Sequence, residues 1–193
     1  MIKRIISKRN RPGIFRSQEG STAIEFALLA IPFFMIIFAI FETFFALIGE
    51  QVISDATDTM ARRLRTGEIS KNITQEEFRK QFCAEASVII TCSADEISKP
   101  QKLYIDLRSF AKFADIPTSV PLVTHGSGRD IDVSKLGFAP GGAGTINMLR
   151  VYYRWPVITD LVRPFLTNIT PADGTMPRHF LIVSTDAFMS EAY

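Results

Sequence analysis

The feature that most constrains this chain is an uncharged apolar run of sixteen residues, Phe26 to Phe41, entered directly from a glutamate, Glu25. Glu42 and Thr43 interrupt it, and Phe44 to Ile48 continue it. A helix from Ile24 to Ile48 would be about 37 Å long at about 1.5 Å per residue. That exceeds a hydrocarbon core of about 30 Å, so the segment can span a bilayer. Glu25 and Glu42 would lie about 25 Å apart along the axis. Each can then sit near an interface, where a carboxylate costs less than at the bilayer centre.

Charge is divided around this run. Residues 1–20 carry Lys3, Arg4, Lys8, Arg9, Arg11 and Arg16 against Glu19 alone, although the whole chain is only +2. Everything after residue 20 is therefore mildly acidic. Positive flanks stay in the cytoplasm, which puts residues 1–20 inside and the body outside. A basic tail joined to a membrane segment has that use already, and nucleic acid is not an expected partner. A cleaved secretory signal should have an apolar region of about 7–15 residues and a small-x-small site. This run is longer, and "ETFFALIGEQ" offers no such site.

The helical pattern continues past the membrane. Val52, Ile53, Ala56, Met60 and Leu64 form a stripe at helical spacing, with Glu50, Gln51, Asp55, Asp58 and Arg62 mostly off it. Arg62, Arg63 and Arg65 suit the dipole of a last turn, as solvated charges, and Gly67 suits the C′ stop. One helix over residues 22–66 would be about 67 Å long. Pro32 lies inside it and predicts a kink or loosening.

A second helix is signalled by Thr74 with Glu77 as a capping box and Ile73 with Phe78 as a hydrophobic staple. Phe78, Phe82, Ala86 and Ile89 or Ile90 would be its buried face. The period then changes to two. Leu103, Ile105 and Leu107 alternate with Tyr104 and Asp106 as a half-buried strand. Leu149, Val151, Tyr153 and Trp155 alternate with Arg150, Tyr152 and Arg154, and Leu181, Val183 and Thr185 mark a third strand. "HGSGRD" at 125–130 and "PGGAG" at 140–144 read as turns or loops, and a short helix is possible near Ile158–Phe165. The expected class is α+β: a long N-terminal transmembrane and amphipathic helix carrying a small domain with a short antiparallel sheet. The divisions are 1–20, a basic leader; 21–66, the helix; and 67–193, the domain.

Gly20 followed by "STAIEF" and the apolar run is the strongest motif. A prepilin peptidase cuts at the cytoplasmic face after glycine or alanine and leaves glutamate fifth in the mature chain. Gly20, Ser21, Glu25 and Phe26 have that arrangement, so residues 1–20 are expected to be removed. After cutting, Ser21 would carry a free amino group. A carboxylate in an apolar bundle needs a partner, and the amino terminus of a neighbouring subunit would suit Glu25. The bland reading is a snorkelling interfacial glutamate.

The segment "GSTAIEFALLAIPFFMIIFAIFETFFALIGEQVISDATDTMARRLRTG" resembles the TadE-like domain of tight-adherence (Flp-type) pilus systems. The resemblance is carried by "EFALLAIP" (Glu25, Phe26, Ala27, Leu28, Pro32), the second glutamate Glu42 and the ending "MARR", over roughly residues 20–66. "YYRWPV" and the closing "FMSEAY" are similar to longer members. The resemblance implies a pseudopilin cut by a prepilin peptidase, held in the inner membrane and needed for pilus assembly. Its implied partners are membrane lipid, the peptidase, other pilin or pseudopilin subunits and assembly proteins. The major pilin of such systems is far shorter, so the residues beyond the helix point to a minor pseudopilin.

Cys83 and Cys92 are the only cysteines. In an oxidising periplasm they could close a disulfide contributing on the order of 2–3 kcal/mol. His125 and His179 are distant and show no metal-ligand spacing. "HGSGRD" lacks the third glycine of a dinucleotide loop. The two "NIT" tripeptides, at 72–74 and 168–170, are short enough to be chance. No catalytic, cofactor-binding or metal-ligating residue is nominated. The competing reading is an uncut membrane-anchored periplasmic enzyme or binding domain.

Overall fold

The computed structural model describes residues 21–126, 128–160, 162–171 and 177–192. The leader 1–20, with the predicted cut after Gly20, lies outside the described residues. By internal contact the chain divides into two units, Met1–Ile40 and Phe41–Tyr193. The first helix, α1, is assigned from Ser21 to Arg65 without a break at Pro32.

In the first unit the apolar side chains of α1 are uncovered. Phe26, Leu28 and Leu29 are about 70% exposed. The helix is long and apolar enough to cross a membrane, and its most apolar 18-residue window has a mean hydropathy of 2.6 with none of it buried. A helix apolar all round belongs in lipid or among other helices.

In the second unit α1 changes character. Of the stripe read from the sequence, Ile53, Ala56, Met60 and Leu64 are buried and Val52 partly so, and Ala61 beside it is buried as well. The helix ends as its residues require: Arg62, Arg63 and Arg65 fill the last turn, and Gly67 turns the chain at φ 76°. That left-handed conformation favours glycine. The next helix, α2 (Gln75–Glu85), starts at Thr74, whose side chain accepts from the Glu77 N–H at 3.2 Å. Phe78, Phe82 and Ala86 are fully buried, and Ile90 nearly so. A third short helix, α3 (Ala94–Ser98), follows, capped by Ser93.

The main sheet has four strands in the order β4-β1-β5-β6. These are β1 (Leu103–Phe110), β4 (Phe138–Ala139), β5 (Ile146–Pro156) and β6 (His179–Met189). β5 is antiparallel to both β1 and β6, while β1 and β4 are parallel. A separate hairpin joins β2 (Leu122–His125) to β3 (Gly128–Ile131). Thus, of "HGSGRD", His125 ends one strand of a hairpin and Gly128, Arg129 and Asp130 lie in the other, and "PGGAG" is a loop. The short helix expected near 158–165 is α4, Arg163–Leu166.

One sheet face carries Leu103, Ile105, Leu107, Leu149, Val151, Tyr153 and Ile182, packed with α1 and α2 residues in one core. The half-buried reading of β1 needs correction. Tyr104 and Asp106 are also buried, at 8% and 0% exposure. A second core covers that face, in which Tyr104, Tyr152 and Leu181 meet Ile131 of the hairpin and Ile169.

The second face is also polar, and its charges are partnered. Arg154 donates to Asp130 at 2.6 Å and lies 5.1 Å from the centre of the Tyr104 ring. Arg150 donates to the Pro117 and Ser119 carbonyls at 2.6 and 3.1 Å, and to Thr185 Oγ1 at 2.8 Å. Buried guanidinium groups hold this way only when their hydrogen bonds are satisfied.

Candidate functional site: the apolar helix and its junction with the domain

Ser21 opens α1, and Glu25 and Phe26 follow one turn later on the exposed helix. Gly20 is outside the described residues. Of the predicted processing residues, Ser21, Glu25 and Phe26 thus lie in the first turns of an apolar helix. Pro32 lies farther along the same exposed stretch.

A glutamate at the other end of the apolar run has defined partners. The carboxylate of Glu42 accepts the Ile158 N–H at 3.0 Å, the Thr159 N–H at 3.2 Å and the Thr159 hydroxyl at 2.9 Å. Ionised acceptors of backbone N–H groups form the stronger class of hydrogen bond. The sequence reading placed Glu42 near a membrane interface, where a carboxylate costs less. It could not show that the partner lies 117 residues away.

Seven residues on, Gly49 lies against Trp155. A Cβ at Gly49 would be 2.4 Å from one carbon of the indole ring and 2.7 Å from another. The strand end carrying Trp155 leads directly into the loop bound by Glu42, so both contacts fasten the same part of the domain to α1. At its far end α1 is fastened again. Arg63 pairs with Glu85 of α2 at 2.5 Å and with Glu68 at 3.6 Å. Arg65 lies 3.8 Å from Glu191, whose N–H donates to the Arg65 carbonyl at 2.8 Å. The expectation that these arginines are solvated fails for Arg63, which is partly buried between two carboxylates, and holds for the exposed Arg62 and Arg65.

Cys83 and Cys92 form a disulfide with Cα atoms 5.9 Å apart. It ties the buried face of α2 to the segment before α3. Among the described residues no group of three or more His, Cys, Asp or Glu is arranged to hold a metal ion. A cleft of ≈ 530 Å³ is lined by Asp106, Arg108, Lys135 and Arg150 among others. Arg108 bonds Asp106 there at 2.7 Å, and Arg150 holds the loop carbonyls, so both guanidiniums serve the fold.

Among the titrating groups displaced by their surroundings are His179 and Asp186. Burial, then the nearby charge of Arg154, pushes His179 down. Burial, then the like charge of Asp58, pushes Asp186 up.

Residues 20–62 match the family of TadE-like proteins. The TadE-like segment covers the apolar helix and most of its amphipathic continuation, and it relates this protein to the Tad pilus. No curated protein and no solved structure matches the chain. The remainder of the domain is thus read from its own residues.

Proposed function

We propose that this protein is a minor pseudopilin that takes part in building a Tad-type pilus. A prepilin peptidase cuts it after Gly20, and α1 then holds it in the inner membrane with the domain in the periplasm. The observation that carries the reading is the TadE-like match over residues 20–62, which begins at Gly20 and includes Glu25. Three further facts support it. The basic residues before Gly20 favour a cytoplasmic N-terminus. The Cys83–Cys92 disulfide suits an oxidising compartment. The uncovered apolar surface of α1 suits lateral packing against lipid and the helices of other subunits.

The chain has no need of chemistry of its own in this role. It is a substrate once, at Gly20, and afterwards a lateral partner. Glu25 would guide the peptidase and then meet the amino terminus of a neighbouring subunit. Removing one member of such a pair leaves the other charge uncompensated, at about 3–5 kcal/mol when buried; water at the interface softens that cost.

N-terminal sequencing of the membrane-extracted protein tests the reading. The chain should begin at Ser21, and Gly20→Leu should make the full-length form accumulate. Met1 at the N-terminus in cells that make pili would refute it and favour an uncut anchor. Glu25→Gln should be processed yet leave fewer pili. Normal pilus number with complete processing would remove the pairing role and leave recognition.

A further inference from the structure

Two of the most exposed apolar side chains of the second unit lie just after β5. Ile158 is 83% exposed and Phe165 is 86% exposed. Scattered apolar residues at a surface need no explanation. These two differ because hydrogen bonds tie the loop that carries them to Glu42, which belongs to the same unit.

The chain of bonds is short. Glu42 binds the backbone of Ile158 and Thr159. The Thr159 carbonyl accepts the N–H groups of Val162 and Arg163. Arg163 also donates from Nε and Nη2 to the Val157 carbonyl, at 3.2 and 3.0 Å. Phe165 follows on α4, its N–H donated to the Val162 carbonyl at 3.0 Å. Ile158 is therefore held at the level of Glu42, and α4 is tied by backbone bonds to the same loop. At that level α1 itself displays Phe41, Phe44, Phe45 and Leu47, each more than half exposed. These are the last apolar turns of the segment able to cross a membrane.

We propose that Ile158 and Phe165 are a membrane foot of the domain, inserted at the edge of the bilayer that α1 crosses. The proposal rests on the reading of α1 as membrane-spanning. Continuity with that segment favours lipid as the occupant, because what covers Phe44 and Phe45 extends to residues held beside Glu42. Glu42 is suited to the place. Three donors satisfy its carboxylate, so it needs less water there than a bare glutamate. Trp155 lies beside Gly49, about 10 Å farther along the helix axis. An indole there fits the aromatic belt of a membrane interface. The foot would set the height and tilt of the domain on the membrane, where a flexible tether would leave both free.

The test uses the full-length chain in vesicles of phosphatidylethanolamine and phosphatidylglycerol. The two native cysteines are bonded to each other, so a single introduced cysteine accepts an environment-sensitive fluorophore. The labels go on Ile158→Cys and Phe165→Cys, with Phe45→Cys as the membrane reference. Val88→Cys is the water reference. It is equally exposed, and Val88 lies three residues beyond Glu85, the partner of Arg63, about 30 Å along α1 from Glu42. Lipid spin-labelled near the top of the acyl chain is the quencher.

Quenching at 158 and 165 should be about threefold that at 88 and close to that at 45. Glu42→Ala should at least halve it at 158, roughly, and leave it unchanged at 45. Thr159→Val, which removes one donor and leaves the backbone, should act in the same direction to a smaller extent. Quenching at 158 and 165 no greater than at 88, with 45 still quenched, would overturn the foot and leave the spanning helix intact. No quenching at 45 would refute the spanning reading, and the foot with it. Blue-shifted emission at 158 that lipid does not quench and that dilution of the protein reverses would overturn the proposal in favour of a second copy. Unchanged quenching at 158 in both Glu42→Ala and Thr159→Val would overturn the positioning assigned to Glu42.

Discussion

Gly49→Ala sets two known effects against each other, and the structure decides between them. In an isolated helix the change should stabilise by about 0.8–1 kcal/mol, because alanine loses less backbone freedom than glycine. Here the added methyl carbon would lie 2.4 Å from one ring carbon of Trp155, 2.7 Å from a second and 3.0 Å from a third. Ordinary carbon contacts are about 3.5–4.0 Å, so the ring or the helix must yield by about 1 Å. Overpacking of this kind costs about 1–3 kcal/mol. Trp155 is only partly buried, on the edge of the main core, so the lower half of that range applies. The expected net result is a loss of about 0.5–1 kcal/mol, opposite in sign to the helix propensity.

Trp155 is the only tryptophan, so its fluorescence reports the contact itself. Full-length protein in detergent should show shifted emission in Gly49→Ala before any denaturant is added, and an earlier unfolding midpoint. In a Trp155→Val background the same alanine should stabilise, since nothing remains for it to strike. The two backgrounds form a double-mutant cycle with a coupling of about 1–2 kcal/mol. An alanine that stabilises equally in both, with unchanged emission, would show that the ring does not rest on the helix and would refute the reasoning.

Replacing both Cys83 and Cys92 by alanine should cost about 2.6 kcal/mol for a loop of this length, visible as a lower urea midpoint; a midpoint that does not move would mean the bond constrains nothing. Asp130→Ala leaves Arg154 buried without its carboxylate, and a loss of about 3–5 kcal/mol is expected in the same measurement, whereas a loss below about 1 kcal/mol would place the pair with exposed ones. Asp186→Asn should stabilise at pH 7, by about 0.5 kcal/mol, because burial, and then the like charge of Asp58, disfavours the ionised group. The folded state raises this carboxyl, so its penalty is present above the folded pKa and disappears as pH falls through it. Variant and wild type should therefore converge in acid, and a gap that widens there would reverse the assignment.

The sequence by itself determined the features whose causes lie within a few residues of one another. The apolar run, the stripe at Ile53, Ala56, Met60 and Leu64, the Thr74 cap and the glycine stop at Gly67 each follow from side chains within a turn or two. The strand alternation in β1 and β5 and the nine-residue spacing of Cys83 and Cys92 are equally local. The proposed Gly20–Glu25 processing motif is likewise a linear pattern of adjacent residues. What tertiary structure decided was partnership across distance. Both faces of β1 are covered because the β2–β3 hairpin folds onto the second face, and alternation in β1 cannot reveal that. Glu42 meets Thr159, and Gly49 meets Trp155, only because β5 ends beside α1 in this sheet order. Arg150, Arg154 and Asp130 are buried because the hairpin and the segment through Pro117 and Ser119 cover the second face, although their residue types suggest solvent. A charge in an apolar run reveals that a partner is needed; which partner it finds depends on where folding brings the rest of the chain.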